Sequence, residues 1–235
     1  MLNLATQPTY KSLVGVGIYT VPEASHFTGI AAGTIRRWLR GHDYAYRGEK
    51  RHAGPLWNPQ IQLNDGELHL GFRDLIELRV VNAFINAGFS PWRVRQGLTM
   101  ARELVGDERP LSTLRFQTDG RTIFLPVAEE TGDPHLIDIF SRQLSFRRIL
   151  APCLRDIEFE RDLPVRWRIG GPLKRIVIDP LRSFGKPIDD ETGVPVDILA
   201  QAAIVEGSVE KAAHAYAVPV RAVEQATAFA RRLAA

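Results

Sequence analysis

The sequence of 235 residues lacks the features that mark several large classes of protein. Its single cysteine, Cys153, excludes an internal disulfide and cannot hold zinc alone. The setting of that cysteine in ILAPCLRDI predicts a small buried hydrophobe. No apolar run approaches the roughly 20 residues of a membrane helix, and the N-terminus lacks the basic start and apolar core of a secretion signal. We therefore expect a cytoplasmic protein with no membrane partner.

Motifs of common catalytic sites are also missing. The sequence has no P-loop, no nucleophile elbow and no Rossmann glycine pattern. Asp189, Asp190 and Glu191 raise the idea of a metal site, but adjacent residues in one loop rarely converge on an ion. We predict a solvated loop there, and a protein that is not an enzyme and uses no metal or cofactor. A hydrolase whose activity depends on these three acids is the third-ranked hypothesis for the function of the protein.

Positive charge is concentrated at the N-terminal end, although the net charge is only +3. Residues 1–60 carry seven Lys and Arg against three acids, whereas residues 174–235 carry eight of each sign. An excess of one sign at one end indicates where a polyanion would bind. The N-terminal end is therefore the expected site of a nucleic-acid partner.

Two short helices separated by a tight turn are predicted within residues 18–41. Thr20 and Glu23 have the spacing of a capping box, which satisfies unpaired amides at a helix start. Gly29 supplies the turn, and the second helix covers residues 31–40 and ends at Gly41. Its predicted inward face consists of Ile30, Ile35, Trp38 and Leu39.

The outward face of this second helix is rich in arginine, whose planar fork bonds phosphates and guanine edges. The segment YAYRGEKRHAGPLWNP that follows predicts a β-hairpin or wing. Residues 18–60 are therefore interpreted as a DNA-binding winged helix, with an arginine-rich solvated helix as the alternative. The candidate DNA contacts are Gly33, Thr34, Arg36, Arg37 and Arg40 on the helix, and Arg47, Lys50 and Arg51 on the wing.

The remaining chain predicts further helices with small β elements. A helix begins near Phe72 and is broken by Gly88, and Ser90 caps the next with Pro91 at its first position. Asp119-Gly120 predicts a hairpin, a helix follows up to Pro152, and strands are predicted between about 157 and 178. The last 60 residues predict three helices with turns at Gly207 and Val218. We therefore predict a mainly α fold with small β elements, divided into residues 1–17 (flexible), 18–105 (winged helix-turn-helix and helix pair), 106–172 (linking hairpin and helical region) and 173–235 (a three-helix, helix-turn-helix-like domain).

The stretches IYTVPEASHFTGIAAGTIRRWLRG and FRDLIELRVVNAFINAGFSPWRVRQGL resemble the N-terminal half of MerR-type regulators. The resemblance covers residues 18–105 and implies that Thr34, Arg36 and Arg37 lie at the DNA and the wing arginines at phosphates. The chain lacks the long dimerising coiled coil and the cysteine loop of that family. We therefore do not infer from this resemblance that the protein senses an inducer.

The segment from Arg175 to Ala230 resembles a small domain found in antitoxins of Vap-type toxin–antitoxin pairs. That domain has a strand with the pattern I.IDP…GKP followed by a three-helix unit. Its usual GTRI appears here as ETGVP, without the arginine. Residues that match the pattern are Ile178, Asp179, Pro180, Gly185, Lys186, Pro187, Gly193, Val194, Pro195, Val196, Ala212, Tyr216, Val223 and Ala226. The resemblance implies a PIN-like ribonuclease toxin as partner.

The C-terminal helices also echo the N-terminal ones, because EASHFTGIAAGTIRRW aligns with KAAHAYAVPVRAVEQA. Glu224 and Gln225 stand where the first segment has Arg36 and Arg37, and a carboxylate near phosphates is repulsive. Since phosphate neutralisation supplies much of the affinity for DNA, we assign the DNA to the first segment and dimerisation to the second.

The predicted function is that of an antitoxin that neutralises a PIN-like ribonuclease and represses its own operon as a homodimer on double-stranded operator DNA. Arginine inserted into the acidic active site of such a nuclease would compete with its metal ion. Candidate toxin contacts are Arg147, Arg148, Arg166, Arg168, Arg231 and Arg232, although a solvated helix surface is the simpler interpretation of the first two. The alternative function is a stand-alone MerR-like regulator with a small-molecule pocket in residues 100–175.

Overall fold

The computed structural model describes residues 15–63, 65–130, 143–169 and 175–234, together with 13, 132–134, 137 and 141. The predicted flexible segment 1–17 lies mostly outside these residues. Helices outweigh the short strands, which confirms a mainly α fold with small β elements. Within the described residues, no helix combines the length and apolar character that crossing a membrane requires.

The secondary structure follows the chain in a simple order. The first part contains β1 (Tyr19–Thr20), α1 (Val21–Thr28), α2 (Ala32–Arg40), β2 (His42–Tyr46), β3 (Glu49–Ala53), β4 (His69–Leu70), α3 (Phe72–Asn86), α4 (Pro91–Val105) and α5 (Leu114–Glu129). The second part contains α6 (Gln143–Leu154), β5 (Ile157–Glu160), β6 (Leu163–Trp167), β7 (Ile176–Ile178), β8 (Pro187–Asp189), α7 (Val196–Val205), α8 (Val209–Ala215) and α9 (Val220–Ala234).

The chain divides into two compact units. Unit I consists of the described residues within 20–60 and 73–165. Among the described residues, unit II consists of 15–19, 61–72 and 166–234. The four-part division expected from the sequence remains a prediction.

Five phenylalanines form the centre of unit I. Phe84 on α3 stacks on Phe124 of α5 with ring centroids 4.4 Å apart. Phe116 and Phe89 each meet Phe124 edge to face at 5.9 Å, and Phe146 of α6 lies 6.4 Å from Phe84. All five are buried, and edge-to-face and offset pairs are favoured by the ring quadrupole. This cluster holds α3, α5 and α6 together and includes Phe89 from the loop between α3 and α4.

The hairpin predicted around Asp119-Gly120 is wrong, because residues 114–129 form the single helix α5. Thr113 caps the helix start by accepting a hydrogen bond from the amide of Phe116 at 3.1 Å. Phe116, Ile123 and Phe124 are buried at helical spacing, so packing against the cluster overrides the local Asp-Gly turn signal. Helix α6 likewise continues past Pro152, where it was predicted to end, to Leu154.

Helix α4 approaches α5 closely because residue 97 is glycine. A Cβ at Gly97 would lie 2.3 Å from Cε1 of Phe124. The Gly97→Ala variant is expected to lose about 1–3 kcal/mol of unfolding free energy, since overpacking a core forces side chains off their rotamers. Urea denaturation measures this loss.

A matched substitution isolates the steric cause. Gly33 is also helical, but a Cβ there would meet no atom of the described residues within 4 Å. Gly33→Ala should therefore be neutral or stabilising by up to about 1 kcal/mol. Equal losses in both variants would contradict the packing explanation.

Unit II combines a small antiparallel sheet with three helices. Strands β7 and β8 pair antiparallel with Val177 opposite Ile188, and Trp167 at the end of β6 pairs with Ile178. Helix α8 begins at the cap Ser208, whose hydroxyl accepts from the amide of Lys211 at 3.1 Å. The structure confirms the three predicted helices and the strands between 157 and 178. Their core comprises Val196, Leu199, Ala202, Ala212, Ala213, Ala222, Val223, Ala226 and Phe229.

Candidate nucleic-acid interface

Helix α1 starts and stops where its local chemistry dictates. Glu23 Oε2 accepts from the backbone amide of Thr20 at 2.8 Å, and the amide of Glu23 donates to Thr20 Oγ1 at 3.4 Å. The predicted capping box is therefore present. The helix ends at Gly29, which has φ 73° and donates its amide to the carbonyl of Ser25. Glycine adopts this left-handed conformation without strain, so the chain turns sharply into α2.

Helix α2 has two sharply different faces. Ile35, Trp38 and Leu39 are buried, whereas Arg36, Arg37 and Arg40 are exposed. Gly33 is exposed and Thr34 half-buried, and the Arg37 guanidinium donates to Thr34 Oγ1 at 3.2 Å. Burial of the apolar stripe thus fixes which arginines point to solvent. The predicted inward face, including buried Ile30, is confirmed.

The segment after α2 forms the predicted β-hairpin, beginning at His42. Tyr44 pairs with Arg51, and Ala45 pairs with Lys50. Arg47 and Gly48 form the two-residue turn with φ values of 53° and 83°, and two positive φ angles are typical of the type I′ turn that suits the twist of a hairpin. The turn therefore projects Arg47 at the tip.

All eight candidate DNA contacts belong to unit I and lie at least partly at the surface. Between Gly33 and Arg51 the chain carries six basic and two acidic side chains. The Arg51 guanidinium lies 3.3 Å from the Glu49 carboxylate, with both side chains more than half exposed. An ion pair in water contributes little, so it does not cancel the local positive charge. The arrangement presents one basic helix and one basic hairpin to solvent.

A buried carboxylate ties the loop after the hairpin to α3, which sequence reasoning missed. Asp74 is fully buried. Its carboxylate accepts from Trp57 Nε1 at 3.1 Å, from the amide of Gln60 at 2.7 Å and from Arg109 Nε at 2.8 Å. The Arg109 guanidinium also donates to the carbonyl of Asn58 at 2.9 Å. A buried charge is tolerated when it is paired and hydrogen-bonded, so this network fixes residues 57–60 on α3.

Two further ionisable residues of α3, Arg73 and Glu77, complete this polar layer. Arg73 donates to Asp107 at 2.8 Å and to Ser112 Oγ at 2.9 Å. Glu77 accepts from the amide of Ser112 at 2.7 Å. Burial raises the pKa of Glu77 to about 8, against weaker opposing effects of the Ser112 hydrogen bond and the Arg73 charge. The charges within the otherwise apolar run FRDLIELR were the available sequence signal.

The raised pKa makes stability depend on pH. Below the unfolded-state value of 4.5 Glu77 is protonated in both states, and between pH 4.5 and 8 the folded state retains a proton that the unfolded state has lost. Stability therefore falls as pH rises through this window, by on the order of 2–3 kcal/mol between pH 5.5 and 7.5. Glu77→Gln keeps an acceptor for Ser112 and should flatten this slope in urea denaturation at the two pH values.

The control for this prediction is Glu103→Gln, since Glu103 is exposed on α4. It should leave the slope as in the parent. A parent slope that Glu77→Gln does not change would contradict the assignment of the proton to Glu77.

The candidate toxin contacts lie in different places. Arg147 and Arg148 are exposed on α6, and Arg231 and Arg232 are exposed on α9. The Arg232 guanidinium lies 5.0 Å from the centre of the Phe229 ring. By contrast, the guanidinium groups of Arg166 and Arg168 lie 3.5 Å and 2.8 Å from the Asp190 carboxylate, and Arg166 also lies 3.4 Å from Asp179.

The predicted solvated loop at Asp189–Glu191 needs correction at its first residue. Asp189 is buried in β8 and forms a two-pronged ion pair with Arg175, at 2.6 Å to Nε and 2.9 Å to Nη2. Burial alone would raise the pKa of Asp189, but hydrogen bonds from Arg175 and Thr192 outweigh it and lower the pKa. Among the described residues, no three His, Cys, Asp or Glu side chains are grouped to hold a metal ion. The pair is structural because it links the start of β7 to β8.

The second helix-turn-helix candidate offers different chemistry in unit II. Glu224 is exposed on α9, whereas Gln225 is half-buried and accepts from the amide of Arg175 at 2.8 Å. A side chain held by the backbone is less available to a base edge. Cys153, as predicted, is buried, and burial raises the pKa of its thiol.

Known proteins resemble this chain in sequence and in fold. No protein-family model matches the chain. A protein of Mycobacterium tuberculosis (strain ATCC 25618 / H37Rv) named "Putative antitoxin VapB45" is 28% identical over 197 residues, which is 78% of this chain and 82% of that protein. The crystal structure of Rv2018 from Mycobacterium tuberculosis superposes with a TM-score of 0.66 over 91% of this chain and 98% of that chain, at 23% identity. The chain therefore shares the fold of Rv2018 and resembles, over most of its length, a protein named as an antitoxin.

Proposed function

We propose that this protein is an antitoxin of a type II toxin–antitoxin pair that binds and neutralises a PIN-like ribonuclease and represses its own operon. Similarity over most of the chain to a protein named as an antitoxin supports the first part. The observation that carries the second part is the solvent-facing arginine side of α2 beside the basic hairpin. The protein acts by binding and has no catalytic role.

We assign DNA binding to α2 and the β2–β3 hairpin. Arg36, Arg37 and Arg40 reach base edges and phosphates in the major groove, and Arg47, Lys50 and Arg51 neutralise flanking phosphates. One short helix contacts too few base pairs for operator specificity, so two copies bind one operator. The three-helix part of unit II is assigned to dimerisation, since its residues 174–235 carry no net charge.

The toxin assignment is tested by co-expression with the product of the adjacent gene. We expect the two proteins to elute together in size-exclusion chromatography, and the toxic ribonuclease activity to disappear in the complex. Substitution of Arg147 with Arg148, and of Arg231 with Arg232, then shows which pair contributes to the complex. A chain that binds operator DNA but never the neighbouring protein is instead the stand-alone regulator.

The operator assignment is tested by mobility shift with a duplex from upstream of the gene. If the complex contains six phosphate contacts, its affinity should fall by about 10³-fold as the salt concentration rises from 50 to 200 mM. Operator binding that does not change with salt would exclude an interface made of these Lys and Arg side chains.

A further inference from the structure

A groove lies beside the candidate DNA interface, between the β2–β3 hairpin and the start of α4. It has a volume of about 520 Å³, and all of its lining residues belong to unit I. Ligand sites of small molecules span roughly 300–1,000 Å³. The apolar part of the lining is formed by Trp38, Ala53, Leu56 and Pro91.

Two large aromatic side chains at this groove are unusually exposed. Trp92 of α4 is 54% exposed and Tyr44 of β2 is 42% exposed, and both line the groove. One exposed aromatic residue needs no explanation, but two that border the same groove offer faces on which a planar ring can stack. On Trp92 this is the face opposite the Arg93 guanidinium, which lies 4.5 Å from the ring centre.

The groove also contains groups that favour an anion. Arg37 and Arg95 line it from α2 and α4. Arg37 donates to Thr34 Oγ1 at 3.2 Å, and Arg95 donates to the carbonyl of Gly54. A guanidinium has five donors, so both arginines can bond an additional acceptor. The acid nearby, Asp43, lies 2.7 Å from Nδ1 of His52.

His42 supplies an independent sign of a missing partner. It lines the groove, and its Nδ1 atom is buried with no hydrogen-bond partner in the part of the chain that the structure describes. Its ring lies 6.1 Å from that of Tyr44. Buried polar atoms are nearly always satisfied in native structures, and an exception calls for a ligand or another explanation. A polar group bound in the groove would satisfy this atom.

We propose that this groove binds a planar aromatic acid, such as a ring that carries a carboxylate or phosphate. The ring lies against Trp92 and Tyr44, and the acid group bonds Arg37, Arg95 and the Nδ1 atom of His42. A DNA strand fits less well, because the lining is largely apolar and a phosphodiester chain is polar along its length. Because Arg37 is also a candidate DNA contact, the ligand displaces DNA; this second part rests on the proposed function.

Binding is tested on the full chain without DNA, by isothermal titration with 2-naphthoate, its neutral analogue 2-naphthamide, and acetate. We expect 2-naphthoate to bind at least about 10-fold more tightly than either of the others. Equal affinity for the naphthoate and the naphthamide, or no binding of the naphthoate, overturns the proposal.

Variants locate the site. Trp92→Ala, at an exposed position, and His42→Phe, which keeps the ring and removes the nitrogen, should each weaken 2-naphthoate by about 10-fold. Leu104→Ala is the control, because Leu104 is also 54% exposed on α4 but does not line the groove. Thermal unfolding shows that each variant is folded. Unchanged affinity in folded Trp92→Ala and His42→Phe places the ligand elsewhere and overturns the proposal.

Competition is tested separately by mobility shift. 2-Naphthoate at about three times its Kd for the parent should weaken the DNA complex of the parent about fourfold, and that of Trp92→Ala, which binds it about 10-fold more weakly, by less than about 1.5-fold. If 2-naphthoate binds but the affinity for DNA does not fall, the proposed competition is overturned. A Trp92→Ala variant that loses DNA affinity, in a parent that binds no naphthoate, shows instead that the groove contacts the duplex.

Discussion

Replacing Arg36 and Arg37 together with alanine is expected to abolish operator binding at 150 mM salt while the complex with the toxin persists. Both side chains are exposed on α2, and their neighbours Ile35 and Trp38 carry the packing. Removal of two phosphate contacts from each of two copies should lower affinity by at least about 100-fold and reduce the salt slope by roughly 3.6. Mobility shifts at several salt concentrations measure both quantities.

The matched control removes the same charge from unit II. The double variant Lys211→Ala with Arg221→Ala removes two exposed basic side chains from the three-helix part of unit II, which is the other candidate for DNA binding. This variant should bind the operator as the parent does. If the Lys211 and Arg221 variant loses operator binding while the Arg36 and Arg37 variant keeps it, DNA binding must be assigned to the three-helix part of unit II and not to α2.

Replacing Asp74 with alanine is expected to cause the largest loss of stability of any single substitution considered. The change removes the acceptor of the Trp57 indole, the Gln60 amide and the Arg109 guanidinium. A charge left unpaired after loss of its buried partner costs roughly 3–5 kcal/mol. Urea denaturation should show this loss, and residues 57–60 should exchange their amide hydrogens faster.

An exposed carboxylate provides the comparison for Asp74. Asp119 lies 3.8 Å from Arg115 on α5, and both side chains are more than half exposed. Asp119→Ala should therefore cost less than about 1 kcal/mol. If Asp74→Ala were as mild as Asp119→Ala, the buried network would not be what fixes the loop.

The features that the sequence predicted correctly depend on neighbours a few residues apart. The Thr20–Glu23 box, the Ser90 cap and the apolar spacing of α2 each involve residues within one or two helical turns. Such signals act through backbone amides and side-chain periodicity, which do not require the rest of the fold. The solvent-facing arginines follow from the same periodicity.

The features that were missed depend on residues far apart in sequence. Asp74 and Arg109 are 35 residues apart, and Arg175 and Asp189 are 14 apart. The helix α5 forms where Asp119-Gly120 favours a turn because its phenylalanines pack on α3 and α6. No local pattern reports such pairings, since each charge alone is typical of a solvated surface.

The division of the chain into two units constrains how this protein is degraded. The backbone passes between the units at four points, after residues 19, 60, 72 and 165. The three C-terminal helices all lie after the last of these points, so a single nick between residues 175 and 195 releases them while unit I, residues 20–60 and 73–165, stays uninterrupted. Cleavage in that stretch therefore separates the helices assigned to dimerisation from an unbroken chain that carries the segment assigned to DNA.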